Sequence, residues 1–540
     1  MTIDGFLTCL TLIAALYALA SPIARYRLQL LGWRLWLPSL MALLAVVYLE
    51  LFEVIGTPCS SEWCQRLVLD PPRSPDPKQI AFIVTLLWLS YVAFIARRPV
   101  VKASKLPVLG RLADRLEIER RYGELIAVIQ PHISTIIKAA RRELWLQKFL
   151  DQVRAHGNKN SWLELINPPP EKPLRRWDRI KRKAHSGMLY ALKPLAMLFP
   201  KVDARESAAS RILRILYTNE KLVEYLSRER PLVALDIMLK RHSYDYDFSD
   251  RAFHYMISDR GGQLPREIIL NQNTSRCFYE IDPHNEIIYA LLSDANIAEK
   301  LEVYRPIGNY PLELIEENSD GYRDVISASK PRKDESIFSD PSFVAIRFFD
   351  IMIRSSMRDS IEWHMWLFYM NLLVDKLVEY MSIKHPDYDA EKEFPNFAHY
   401  LIYEVFSSYG SWLQAIDCCP EDSPAVRIQS VEPRHDNGSI IKSTMLSIGQ
   451  SLGHLVQSAN VTDDFVTYIL EIVMRDLKGL AAKPGGGVLV DALTRSIIAR
   501  GAYGEKPEYG ERLKRCFGQM DLMIRFDSDV FGAALEAAYP

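Results

Sequence analysis

The chain has 540 residues, 49% hydrophobic and 25% charged, with a formal net charge of −1. That is ordinary composition for a folded globular protein. A near-neutral chain has no basic excess to drive non-specific nucleic-acid binding, so net charge gives a nucleic-acid partner no support.

Three apolar stretches come first, at residues 6–23, 35–56 and 80–96. Each is about 20 residues long, the length at which a helix crosses a hydrocarbon core of about 30 Å. They are apolar all round, whereas a soluble surface helix is striped. Trp33 and Trp36 begin the second stretch, where indoles favour the headgroup level. The pattern predicts an anchor of three transmembrane helices over 1–98. The competing reading is three buried helices of a large soluble protein.

Orientation follows from flanking Lys and Arg. Residues 1–5 carry Asp4 and no cation. Arg25, Arg27 and Arg34 follow the first stretch, and Arg97, Arg98, Lys102, Lys105, Arg111 and Arg115 follow the third. The expectation is a multi-pass protein of the plasma (inner) membrane, N-terminus outside and body cytoplasmic. Ala18-Leu19-Ala20 resembles a signal-peptide cleavage site, but the basic n-region such a peptide needs is missing from residues 1–5.

Cys59 and Cys64 fall in the loop expected outside, where a disulfide persists. A bridge between them is expected. The remaining cysteines show no C-x-x-C spacing with nearby His, so no metal site is expected. Glu50 and Glu53 lie three apart near the outer end of the second stretch and share a helix face. They read either as interfacial acids or as an intramembrane polar face between packed protomers.

The body, from about residue 99, reads as mainly α and multi-lobed. The expected parts are a juxtamembrane helical segment over 99–170, a central helical domain over 171–416, and a linker with a C-terminal helical module over 417–540. Residues 112–153 read as long amphipathic helix with a break at Pro131. Basic residues Lys172, Arg175, Arg176, Arg179, Lys181, Arg182 and Lys183 precede an apolar segment at 188–199. This is a candidate site for anionic lipid headgroups. The plainer alternative is a solvated basic face, and a local nucleic-acid contact is a third.

Asn219 is a candidate cap, and Pro231 starts a helix over 232–239. Asp245, Asp247, Asp250 and His254 form an acidic and imidazole cluster. Asp250 and His254, four apart, are the weak catalytic or metal candidates, although no metal motif fits and Asp250 reads equally as a cap. Residues 276–281 and 286–289 are expected to form a small β hairpin. Residues 317–341 read as a polar loop. Asp340-Pro341 opens the next helix. Residues 363–374 read as a central core helix. His385, Asp387, Asp389 and Glu391 read as a turn. Thr462 caps a helix that Lys478-Gly479 ends, and 489–499 is helical after three glycines.

No phosphate loop, dinucleotide fingerprint, nucleophile elbow or H-E-x-x-H motif is present in the sequence. No cofactor is expected, and the chain leans away from catalysis. The leading expectation is a membrane protein whose body acts as a sensor or scaffold, binding a protein partner or itself. The alternatives are an oligomeric pore or permeabilising effector and a membrane-tethered hydrolase with a cryptic site.

Overall fold

The structure is a computed structural model. It describes residues 33–54, 77–96, 105–141, 204–240, 245–271, 274–275, 277–329, 337–362, 366–420, 422–433, 439–483, 485–501, 503 and 506–540. The described chain is mainly helical, and it divides into two compact units after Asn219.

The first unit begins with helices α1 (Trp33–Val54) and α2 (Pro77–Ala96), which pack on each other. Trp88 Nε1 on α2 donates to Ser39 Oγ on α1 at 2.9 Å. Pro38 lies inside α1. Large apolar side chains point away from this pair, Trp36 at 71% exposure and Phe94 at 73%. Among the described residues no helix is long and apolar enough to cross a membrane. Described side chains in the pair run over 36–49 and, with gaps, 80–94. The first expected span, 6–23, lies outside the described residues.

Helices α3 (Leu106–Ile118), α4 (Tyr122–Ile129), α5 (Ile133–Ala140) and α6 (Ala204–Thr218) complete this unit. The long helix expected from residue 112 is broken twice. Arg120 takes a left-handed conformation with φ 56°, ending α3. Pro131 supplies no amide donor, and the chain tightens there to a 3₁₀ turn, Gln130–His132. Helix α6 packs on α3 and α5 through Ala208, Ala209, Ile212 and Leu216. Gly110 gives α6 its close approach, since a Cβ there would sit 3.3 Å from Ala208 Cβ.

The second unit starts with α7 (Glu220–Glu229), α8 (Pro231–Leu239), α9 (Asp245–Ser258) and α10 (Gln263–Leu270). An antiparallel ribbon follows, β1 (Thr274–Ser275) with β2 (Phe278–Tyr279), then α11 (Glu286–Leu292) and α12 (Ala295–Lys300). The ribbon is where one was expected, but its partner strand is not 286–289, which is helical. The reason is Glu267, whose carboxylate accepts from Ile287 N at 2.8 Å and Ile288 N at 3.0 Å. It satisfies amides that a helix start leaves open.

Next come α13 (Tyr304–Glu317) and α14 (Tyr322–Ser327). The expected polar loop over 317–341 thus contains a helix, held where the buried Tyr322 hydroxyl donates to the Asp340 carboxylate. Asp340 also caps α15 (Pro341–Arg358), accepting from Ser342 N and Phe343 N with Pro341 in the first turn. Helices α16 (Leu367–Tyr380), α17 (Phe397–Gln414), α18 (Ile440–Gln457) and α19 (Asp463–Ala481) follow. Thr462 caps α19 as expected, but that helix runs past Gly479 to Ala481. The chain closes with α20 (Gly486–Ile498), α21 (Pro507–Gln519), α22 (Leu522–Asp527) and α23 (Asp529–Ala538).

The core of this unit is α15, α17 and α18, each buried along nearly its whole length. Phe343, Phe348, Phe349, Phe406, Trp412 and Trp366 fill it. Helices α18 and α20 touch backbone to backbone: a Cβ on Gly449 would lie 2.1 Å from Ser496 O. The segment from 439 onward therefore shares one unit with 220–416.

Candidate functional site

The best-built polar centre of the second unit surrounds Asp350, on α15 and 1% exposed. Its Oδ2 accepts from the Tyr279 hydroxyl at 2.5 Å, and its Oδ1 accepts from Trp412 Nε1 at 2.8 Å. Arg354 Nε, one turn along, donates to Oδ1 at 3.0 Å. The Arg354 guanidinium also stands 5.0 Å over the Tyr279 ring. A buried carboxylate is tolerable only when it is paired and hydrogen-bonded, and both conditions are met here. Burial, with the Asp350 charge beside it, holds the Tyr279 phenol well above its ordinary range.

The same place is tied covalently. Cys277, two residues before Tyr279, is bonded to Cys418, in the 3₁₀ turn that follows α17. Cα atoms of the pair are 6.2 Å apart, and 141 residues of sequence separate them. Arg354 Nη1 donates to Cys277 O at 3.5 Å, so the ion pair and the bridge share a strut. Cys419 is a free thiol, and burial pushes its pKa up to about 11, which makes it a poor nucleophile at neutral pH.

Both Asp350 oxygens accept from these donors, and neither is left without a partner. The arrangement joins the ribbon, α15 and α17, and it presents a thiol–disulfide couple at that joint. The disulfide lies in the body, at a pair the sequence spacing does not mark. The expected partners Cys59 and Cys64 lie outside the described residues.

The other sequence candidates are placed as follows. Asp250 is exposed on α9, and His254 is partly exposed. His254 Nδ1 lies 4.0 Å from Glu313 Oε2 on α13, and its ring stands edge-on to Tyr310 at 5.4 Å. These contacts dock α9 on α13. Among the described residues no group of three His, Cys, Asp or Glu could hold a metal ion. His385, Asp387, Asp389 and Glu391 lie in successive turns, with Lys392 pairing Asp389 at 3.1 Å. Glu50 and Glu53 lie within α1, but their side chains are outside the described set. The basic run from Lys172 through Arg175, Arg176, Arg179, Lys181, Arg182 and Lys183 is also outside it.

Exposed apolar side chains gather near the C-terminus: Leu522, Met523 and Phe526 on α22, and Val530 on α23. Sequence reasoning missed both this group and the Asp350 centre. The group was readable in local sequence; the centre joins residues 62 and 71 positions apart and leaves no local signal.

No family model matches this chain, and no curated protein or solved structure matches it.

Proposed function

We propose that the chain is a membrane-anchored, multi-pass protein whose helical body serves as a sensor or scaffold for another macromolecule. The observation that carries the anchor is the outward apolar face of the α1–α2 pair. Trp36, Leu40, Met41, Leu44, Phe82, Leu87 and Phe94 are all exposed in water on two helices of 22 and 20 residues. A solvated protein rarely leaves so much contiguous apolar surface bare, and a bilayer would cover it. The exposed apolar side chains Leu522, Met523 and Phe526 on α22 support a docking role for the body. Lipid is thus one partner, and a protein the other.

Two arguments bear on orientation. The cations after α2, Arg97, Arg98, Lys102 and Lys105, favour a cytoplasmic body. The Cys277–Cys418 bond favours a second reading, in which the body lies in an oxidising compartment. If the body is cytoplasmic, that bond is of the transient, redox-sensing kind, which suits a sensor.

A compartment reporter fused after Pro540, and another inserted within residues 56–76, test both points. The first should be active only inside and the second only outside. The opposite pattern would hand the case to the oxidising-compartment reading. Release of the whole chain by alkaline washing would remove the anchor altogether.

A further inference from the structure

Arg500 lies in the turn after α20, beyond the C-cap Ala499, and is 7% exposed. Its Nε and Nη1 are buried, and neither has a hydrogen-bond partner. An isolated buried guanidinium is costly, and folded proteins meet that cost by pairing it. Two other arginines of this unit keep the rule. Arg512 donates to Asp463 and to the carbonyls of Val456, Ser458 and Val461, while Arg354 holds Asp350.

Two aromatic rings and a glycine surround the guanidinium. The Tyr509 ring lies 5.9 Å from the guanidinium on one side, with its hydroxyl engaged on Ile497 O. Tyr503, 5.8 Å away and 59% exposed, stands at the solvent side. Gly453 on α18 lets the Arg500 side chain pack close: a Cβ there would come within 3.3 Å of Arg500 Cβ and 3.7 Å of its Nε. His454, its ring 6.4 Å from that of Tyr503, is paired with Asp375 at 2.9 Å, so that carboxylate is already taken.

We propose that Arg500 heads an oxyanion-binding site, walled by Tyr503, Tyr509 and Gly453, that takes the phosphoryl or carboxylate group of a small molecule. Each edge of a guanidinium, Nε–Nη2 and Nη1–Nη2, can grip two oxygens at once. Here each edge carries one idle buried donor. Burial of these nitrogens strengthens a charge-assisted bond made to them.

The test is thermal denaturation of the purified full-length chain in inorganic phosphate, in acetate and in chloride at matched ionic strength. At about a hundredfold excess over the dissociation constant, the occupied site should raise Tm by about 3 °C or more. A rise with phosphate alone identifies a phosphoryl ligand, and a rise with acetate alone a carboxylate; either supports the site. Arg500→Gln should abolish the rise. Arg500→Lys keeps the charge and the aliphatic stem but lacks the fork, so the rise should fall by at least half. That variant carries the test if the Gln variant does not fold. The proposal is overturned if neither anion outperforms chloride, or if Arg500→Lys responds as fully as the parent.

Discussion

Helices α2 and α15 both carry large apolar side chains, and they aim them in opposite directions. On α2, Phe82, Leu87 and Phe94 are 64%, 65% and 73% exposed; on α15, Phe343 and Phe348 are 1% and 0% exposed. Helix α15 finds its apolar surroundings within the chain, from α17, the ribbon and α13. Helix α2 packs on α1, and these side chains of it stay exposed. Apolar content therefore says that a helix needs an apolar medium, while exposure says whether the chain supplies it.

The largest effect expected is on the inward-facing half. Cys277–Cys418 closes a loop of 141 residues around the α15–α17 joint. Chain entropy sets the scale of such a closure at about 4–5 kcal/mol, a model-dependent figure. Cys418→Ser, or reductant on the parent, should lower the melting temperature of the body substantially. The variant should then ignore reductant. Equal melting of reduced and oxidised parent would show that packing alone holds the joint.

Gly449→Ala should cost about 3 kcal/mol, because the new methyl meets the Ser496 carbonyl, a backbone atom that cannot rotate away. Gly479→Ala is the control. A Cβ there meets nothing within 4 Å, so the change should be neutral or stabilise by up to about 1 kcal/mol, the usual helical preference for Ala. Comparable losses at both positions, read by denaturant melts, would remove close helix contact as the cause.

The outward half responds to a different probe. Leu87→Arg places a charge on the exposed face of α2. If that face meets acyl chains, insertion should suffer by about 2.5–3.5 kcal/mol near mid-bilayer. The membrane fraction should fall while melting of the body stays put. If Leu87→Arg leaves membrane association unchanged, α2 does not face lipid and the contrast with α15 needs another account.

What the sequence made legible was local. Asp340-Pro341, Pro231 and Thr462 announce helix starts because a cap works through amides two or three residues away. The apolar stretches announced helices α1 and α2 within a few residues. What stayed hidden depends on long separations. Glu267 turns an expected strand into a helix from about 20 residues upstream. Tyr279, Asp350 and Trp412 meet only once three elements are packed. Asp250 and His254 have a suggestive spacing, yet His254 is drawn to α13 by Glu313 and Tyr310, residues that no window around 250 contains.

The smallest expected effect is a pH dependence inside the core. Asp476 on α19 lies against α17 in space left by Gly410, where a Cβ would come 2.5 Å from Asp476 Oδ2. Burial pushes its carboxyl up to about 6, opposed by a hydrogen bond from Gln414. Because the folded value lies above the unfolded value of about 3.9, the protonated form favours folding. Its contribution is complete below about pH 4 and is lost as pH rises through about 6. The shift corresponds to about 2–3 kcal/mol. Asp340, also raised by burial to about 6, adds a loss of the same sign. His399 acts the other way: burial lowers it to about 4, so its contribution is present above about pH 6.5 and lost as pH falls. Asp476→Asn isolates one member of this set. The variant should melt higher than the parent at pH 7.5, with the gain shrinking toward zero near pH 4.5. A gain independent of pH would mean that shape at Gly410, and not the carboxylate charge, governs how α17 meets α19.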